Sequence, residues 1–291
     1  MFKGMLPALV TPFKGGELDE PAYRRLIQYV LDNGADGLVP NGTTGENPTL
    51  TADERRAIIT IAVEMCRPKG KKVIAGAGNN STSSTIELVN RAAKSGADGA
   101  LVITPYYNKP TQSGLLLHFK AVAANTSLPI VMYNVPSRTG VNMTVETAVE
   151  LSFVDRIVCL KEASGNLVQF AEIAANSAPN FTLLSGEDAL TLPMMPLGCA
   201  GVITAAGNVA PRLMSEMLKF WEQGKIDKAW EIHTRLLPLF KALFIETSPS
   251  PCKKALEILN ICDAEVRLPL APVKPETERM LREALAAAGL L

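Results

Sequence analysis

The sequence predicts an α/β protein built as a (β/α)8 barrel of the TIM type over residues 1–223, followed by a C-terminal helical domain over residues 224–291. Three observations carry this expectation. Short apolar runs recur about every 30 residues, each followed by a helical pattern, the alternation that closes a parallel sheet into a barrel. The punctuation "NGADG" at Asn33–Gly37 returns as "SGADG" at Ser95–Gly99 and "LGCAG" at Leu197–Gly201, each time between a helix and the next run. After about Gly224 the strand signal stops. A doubly wound sheet is the rival architecture, but no dinucleotide fingerprint follows the first run, and "GAGNNS" at Gly76–Ser81 has serine where the last glycine belongs.

Taken in order, the runs are Met5–Thr11, Asp36–Pro40, Val73–Gly76, Ala100–Thr104, Pro129–Tyr133, Ile157–Lys161, Phe181–Ser185 and Val202–Ala205. The first helix opens near Asp19, places Tyr23, Leu26, Ile27, Val30 and Leu31 on one face, and ends at Gly34. The second opens on a capping box, Thr51 with Glu54, and continues with Ile58, Ile61, Ala62 and Met65. The third carries Ile86, Val89 and Ala93, with Ser84 and Glu87 as a second candidate box. In the extension, Trp230, His233, Leu237, Phe240 and Phe244 form a stripe with a kink expected at Pro238, and two more helices fall around Pro251–Ile261 and Pro275–Ala288.

Composition excludes several function classes. Lys plus Arg and Asp plus Glu both total 29, so the chain has no electrostatic footprint for nucleic acid or an anionic membrane. The five cysteines stand singly, which fits a reducing compartment, and the two histidines, His118 and His233, fall in helical patterns, so a His-based zinc site is not expected. No leader or spanning stretch is evident, and a cytoplasmic location is expected.

The candidate chemistry centres on "RIVCLKEASGN", Arg156–Asn166, where Lys161 emerges from an apolar strand at the end where barrels bind ligands. A lysine in water, with a pKa of about 10.4, is a poor nucleophile at neutral pH, whereas a desolvated one near about 7 to 8 suits Schiff-base chemistry. A surface lysine paired with Glu162 is the plain alternative. "NGTTGEN", Asn41–Asn47, sets two glycines around two hydroxyls, a loop able to hold a carboxylate. "TPYYNKP", Thr104–Pro110, and "YNVPSRTG", Tyr133–Gly140, bring Tyr106, Tyr107, Tyr133 and Arg138 to the same barrel face. Phenols there could relay protons, and a guanidinium could bind a carboxylate.

With these residues in place, the chain resembles the dihydrodipicolinate synthase family of pyruvate-dependent class I aldolases, whose superfamily includes N-acetylneuraminate lyase. The likeness runs from "ALVTPF", Ala8–Phe13, to Val266–Pro269, and its most specific marks are "GTTGE", "YNVPSRTG" and "LKEASGN". The resemblance implies that Lys161 forms a Schiff base with pyruvate and that Thr44 holds the pyruvate carboxylate. It implies a proton relay of Thr43, Tyr133 and Tyr107, the last reaching the neighbouring subunit of a homotetramer. Arg138 would bind the carboxylate of L-aspartate 4-semialdehyde, and Gly186 and Ile203 would line the pocket. No metal or organic cofactor is needed for that condensation. Family members inhibited by lysine carry histidine and glutamate where this chain has Ala52 and Ser84, and Arg55 replaces a further histidine, although Asn80 and Tyr106 match. Weak or absent feedback inhibition is therefore expected. A sugar-acid or sialic-acid aldolase is the second reading, and a non-catalytic barrel that binds a small acid the third.

Overall fold

The structure, a computed structural model, describes residues 2–291. Eight parallel strands form the sheet: β1 (Gly4–Pro7), β2 (Gly37–Leu38), β3 (Lys72–Gly76), β4 (Gly99–Ile103), β5 (Ile130–Asn134), β6 (Ile157–Glu162), β7 (Thr182–Ser185) and β8 (Gly201–Thr204). Their spatial order follows the chain, with β1 against β8 at one end and β2 against β3 at the other. Closure between β1 and β2 comes from the parallel bridge of Ala8 with Val39, where Leu9 N donates to Val39 O at 3.0 Å and Val39 N donates to Pro7 O at 2.9 Å. The expected (β/α)8 barrel is thus the observed one.

The period of two along each strand sorts side chains between two cores. Leu6, Ile74, Leu101, Val131, Cys159, Leu184 and Ile203 fill the barrel interior, with Phe2 among them. Met5, Val73, Val102, Met132, Leu160 and Val202 face outward and pack beneath the helices. These are α1 (Glu20–Asp32), α2 (Ala52–Cys66), α3 (Thr82–Lys94), α4 (Gln112–Ala124), α5 (Val145–Ser152), α6 (Leu167–Asn176), α7 (Thr191–Met194) and α8 (Pro211–Glu222). Beyond a left-handed turn at Gly224 come α9 (Ile226–Ala242), α10 (Ser250–Ile258) and α11 (Pro275–Ala287), with α9 packed on both α8 and α11.

The local signals performed unevenly. The Asp19 side chain caps α1, and the Thr51–Glu54 capping box forms on α2. The second candidate box does not form: Ser81 caps α3 and its hydroxyl takes the Ser84 amide, while Glu87 pairs with Arg91 one turn on. The fully buried residues of α3 are Thr85, Val89 and Ala92, with Ile86 and Ala93 at the shoulder of the core. On α9, His233 and Phe240 are buried, but Trp230 and Leu237 are each 41% exposed, and Phe244, just past the end of the helix, is 50% exposed. Ala229 and Leu236 take the inner places, because the packed stripe is rotated by a fraction of a turn from the bulkiest one. The helix continues through Pro238. A small antiparallel hairpin, Phe13–Lys14 with Glu17–Leu18, lies inside what reads as a loop.

Candidate active site

Lys161 is the fifth residue of β6, two after the interior Cys159, so its side chain also points into the barrel. It is 6% exposed and has Tyr133 opposite it on β5. That pairing depends on a register shift. Ile130 opposes Ile157, but Val131 opposes Cys159, so Val158 is the extra residue and Tyr133 meets Lys161. Without the shift, Tyr133 would meet the outward-facing Leu160. The Lys161 Nζ lies 4.1 Å from the centroid of the Tyr133 ring.

Electrostatics prepare both groups. Burial, helped by the Arg138 guanidinium, lowers the Lys161 pKa to about 8, although Asp188 and Glu187 pull the other way. On the order of one lysine in ten then carries the free amine at pH 7. Burial raises Tyr133 to about 12, with Glu187 adding to the rise and Arg138 and the Thr43 hydroxyl opposing it. The phenol therefore keeps its proton near neutrality and can donate it. Because proton loss creates the nucleophile, the rate of Schiff-base capture should climb with pH and level off above about 8. A plateau reached only above pH 10, in borohydride-trapping rates taken across the range, would contradict the lowered pKa.

A cavity of about 250 Å³ opens at the carboxyl ends of the strands, lined by Thr43, Tyr106, Tyr133, Arg138 and the backbones of Gly76 and Gly78. The two glycines that make a poor nucleotide loop thus serve as wall. Arg138 stands in the short helical turn Pro136–Thr139 and reaches the Ser248 carbonyl at 3.5 Å. Thr44 is buried beside Thr43, and Ile203 is buried in the barrel interior. Gly186 has a steric reason to be glycine, since a Cβ there would lie 2.9 Å from the Lys161 Cε. Lys161, Thr44, Gly186 and Ile203 are not in the lining of this cavity, and Tyr107 stands further apart: it is 88% exposed at φ +70°, whereas Tyr106 lines the cavity. The positions weighed for lysine binding are not gathered in one cavity of this chain. Ala52 and Arg55 line a separate cavity, and Asn80 accepts at its backbone carbonyl from Asn108 Nδ2 at 2.8 Å.

Two groups of residues escaped the sequence reading. The first is the acidic pair after β7. Asp188 is buried and accepts from Ala206 N at 2.8 Å, and burial raises the pKa of both Asp188 and Glu187. The second is a clamp on the threonine loop. Glu46 sits at φ +54° and receives the wholly buried Lys253 Nζ at 2.6 Å and Arg267 N at 2.9 Å. Lys253 also donates to Glu265 O and lies over the Phe13 ring, while Arg267 reaches Glu54 at 2.5 Å. The hairpin, the loop and the extension therefore meet behind Thr43 and Thr44. Glu162, next to Lys161, accepts from Asn134, Gln169 and the Ser164 amide, which ties down the end of β6.

Comparison with known proteins gives one answer. A family model described as the dihydrodipicolinate synthetase family matches residues 1–288. The 4-hydroxy-tetrahydrodipicolinate synthase of Aquifex aeolicus (strain VF5) is 49% identical over 287 residues, which are 98% of this chain and 97% of the relative. The crystal structure of dihydrodipicolinate synthase from Thermotoga maritima is 44% identical, with a TM-score of 0.98 and 100% of both chains covered. A dihydrodipicolinate synthase from Acinetobacter baumannii, solved in complex with pyruvate, is 37% identical with a TM-score of 0.97 and the same full coverage.

Proposed function

This chain belongs to the dihydrodipicolinate synthetase family, and on that premise we propose that it condenses pyruvate, held as a Schiff base on Lys161, with L-aspartate 4-semialdehyde. It is a lyase of the diaminopimelate route to lysine. The observation that carries the site assignment is the buried, deprotonation-prone Lys161 facing the Tyr133 phenol.

The neutral amine of Lys161 adds to the pyruvate carbonyl, and water leaves as the imine forms. Loss of a methyl proton gives an enamine, whose carbon attacks the aldehyde. Tyr133, protonated near neutrality, supplies a proton to the departing or developing oxygen, and Thr43 passes protons between it and Tyr107. Thr44 holds the pyruvate carboxylate with hydroxyl and backbone donors, and Gly186 and Ile203 complete the pocket. The amine of the bound semialdehyde then attacks the imine carbon, closes the ring and frees Lys161. Arg138, at the rim of the cavity, takes the semialdehyde carboxylate. Arg138→Ala should raise the KM for the semialdehyde by roughly tenfold or more and leave the KM for pyruvate nearly unchanged. An equal rise in both, in initial-rate kinetics, would remove that assignment.

The relatives' names favour this acceptor over a sugar acid, and pyruvate consumption followed by NMR decides it. Loss of pyruvate with the semialdehyde and none with N-acetylmannosamine is expected; the reverse would install the aldolase reading. A homotetramer is part of the proposal, because the exposed Tyr107 reaches a relay only across a subunit boundary; an active, strictly monomeric protein contradicts it. No helix among the described residues is long and apolar enough to cross a membrane, and we place the enzyme in the cytoplasm with no nucleic-acid partner. With Ala52, Arg55 and Ser84 beside the family-matching Asn80 and Tyr106, lysine has no carboxylate for its side-chain ammonium. Turnover should therefore be insensitive to millimolar lysine, and half-inhibition below 1 mM would overturn that expectation.

A further inference from the structure

The enamine step needs a base, and the groups so far placed around Lys161 do not supply one. Tyr133, pushed up to about 12, keeps its proton near neutrality and acts as an acid. The Lys161 nitrogen is bound into the imine, and Arg138 is a permanent cation. What remains within electrostatic reach of Lys161 is the acidic pair after β7, Asp188 and Glu187, whose charges both act on it.

The two carboxylates are held differently. Asp188 Oδ2 accepts from Ala206 N at 2.8 Å and the same carboxyl takes the Thr204 hydroxyl, so it anchors the turn that follows β8. Glu187 is fixed by its backbone: its N donates to Ser185 Oγ at 3.1 Å, and its carbonyl accepts from Ser185 Oγ at 2.8 Å and from Thr191 Oγ1 at 3.0 Å. Its Oε2 is buried without a hydrogen-bond partner among the described residues. A buried acceptor left bare calls for a proton donor.

The backbone carries Glu187 to the lysine. A Cβ on the preceding Gly186 would lie 2.9 Å from Lys161 Cε and 3.1 Å from its Cγ, so the chain runs against the lysine stem just before Glu187. The Glu187 charge is also felt at Tyr133, the residue opposite Lys161.

Given capture of pyruvate at Lys161, on which this rests, we propose that Glu187 is the catalytic base of the enamine step, its carboxylate taking the methyl proton of the pyruvyl imine. The C–H bond breaks and its electron pair becomes the C=C bond of the enamine. The π pair of the C=N bond withdraws onto the lysine nitrogen, and the proton binds a Glu187 oxygen. An iminium cation beside a carboxylate anion thereby becomes a neutral enamine beside a neutral acid. Charges are costly where water is excluded, so burial favours that discharge. The same burial, with Asp188 adding to it, raises the Glu187 pKa and makes it a stronger base, while a positive charge at Lys161 opposes the rise and keeps the carboxylate ionised until the proton moves. A phenol that holds its proton and a carboxylate able to take one divide the acid and base work between them.

The test follows the methyl protons directly. The whole protein is incubated with pyruvate in heavy water without the semialdehyde, and proton NMR reads the replacement of methyl protons by deuterium, which every enamine formed and reversed brings about. Parent protein is compared with Glu187→Gln, which keeps the side-chain shape and cannot take the proton, and with Glu187→Asp, which keeps the carboxylate. Borohydride trapping of pyruvate is measured on all three. Glu187→Gln should exchange at least about a hundredfold more slowly than the parent, with a trapping rate within about threefold of it. Glu187→Asp should exchange at least about tenfold faster than Glu187→Gln. Exchange in Glu187→Gln within about fivefold of the parent, or a Glu187→Asp no faster than the amide, would overturn the proposal. Equal loss of trapping and exchange in Glu187→Gln would show a structural role and overturn it as well. Absence of trapping in the parent would instead remove the Schiff-base reading itself, and this proposal with it.

Discussion

Replacing Lys161 by methionine should lower turnover by at least about a thousandfold while leaving the fold intact, because the substitution keeps most of the side-chain volume and removes only the nucleophile. The side chain is 6% exposed among interior residues, so the usual objection to a core mutation is that it unfolds the protein. Here the direction is reversed. Burial already works against the Lys161 charge, as its pKa of about 8 reports, so exchanging the ammonium for a thioether removes a desolvation cost. The melting temperature should equal or exceed that of the parent. Lys161→Arg, which retains charge and loses the accessible free base, should be as inactive as the methionine variant. Residual turnover within tenfold of the parent in either variant would show that the lysine is structural.

The second large effect is expected far from the chemistry. Lys253→Met leaves the Glu46 carboxylate buried without its cation, and breaking a buried pair in this way costs about 3–5 kcal/mol. Both side chains are fully buried, so solvent screens neither. Glu46 closes the loop that begins at Gly42, with Glu46 N donating to Thr43 O at 3.1 Å, and loosening it should displace Thr43 and Thr44 and raise the KM for pyruvate. Urea unfolding measures the stability loss. The double variant Glu46→Gln/Lys253→Met removes both charges and should recover a large part of it. A single variant within about 1 kcal/mol of the parent, the range of exposed pairs, would show that the clamp carries no strain.

What was legible in the sequence was what local spacing encodes. The eight apolar runs, the Thr51–Glu54 box and the lysine at the end of its strand all lie within windows of a few residues, and the structure has them where the pattern placed them. Tyr133 could be assigned to a strand end, but its position opposite Lys161 follows from one extra residue in β6, which no periodicity announces. The Glu46–Lys253 pair joins residues 207 apart in the chain, and Arg267 reaches Glu54 across 213. Such contacts exist only after the extension has folded back onto the barrel. Arg267 lies in the Val266–Pro269 stretch that marks the family resemblance, so that mark has a structural meaning the sequence did not disclose. The exposed half of the α9 stripe failed for a related reason: two overlapping periodic faces compete on one helix, and only packing against α8 and α11 selects between them.

The central claim is covalent capture of pyruvate by one particular amine, and borohydride reduction in the presence of pyruvate, followed by proteolysis and mass spectrometry, tests it most directly. The expected result is a single reduced pyruvyl adduct on the peptide containing Lys161, formed faster as the pH rises toward about 8 and absent from Lys161→Met. An adduct on another lysine, or none at any pH while turnover continues, would contradict the assignment.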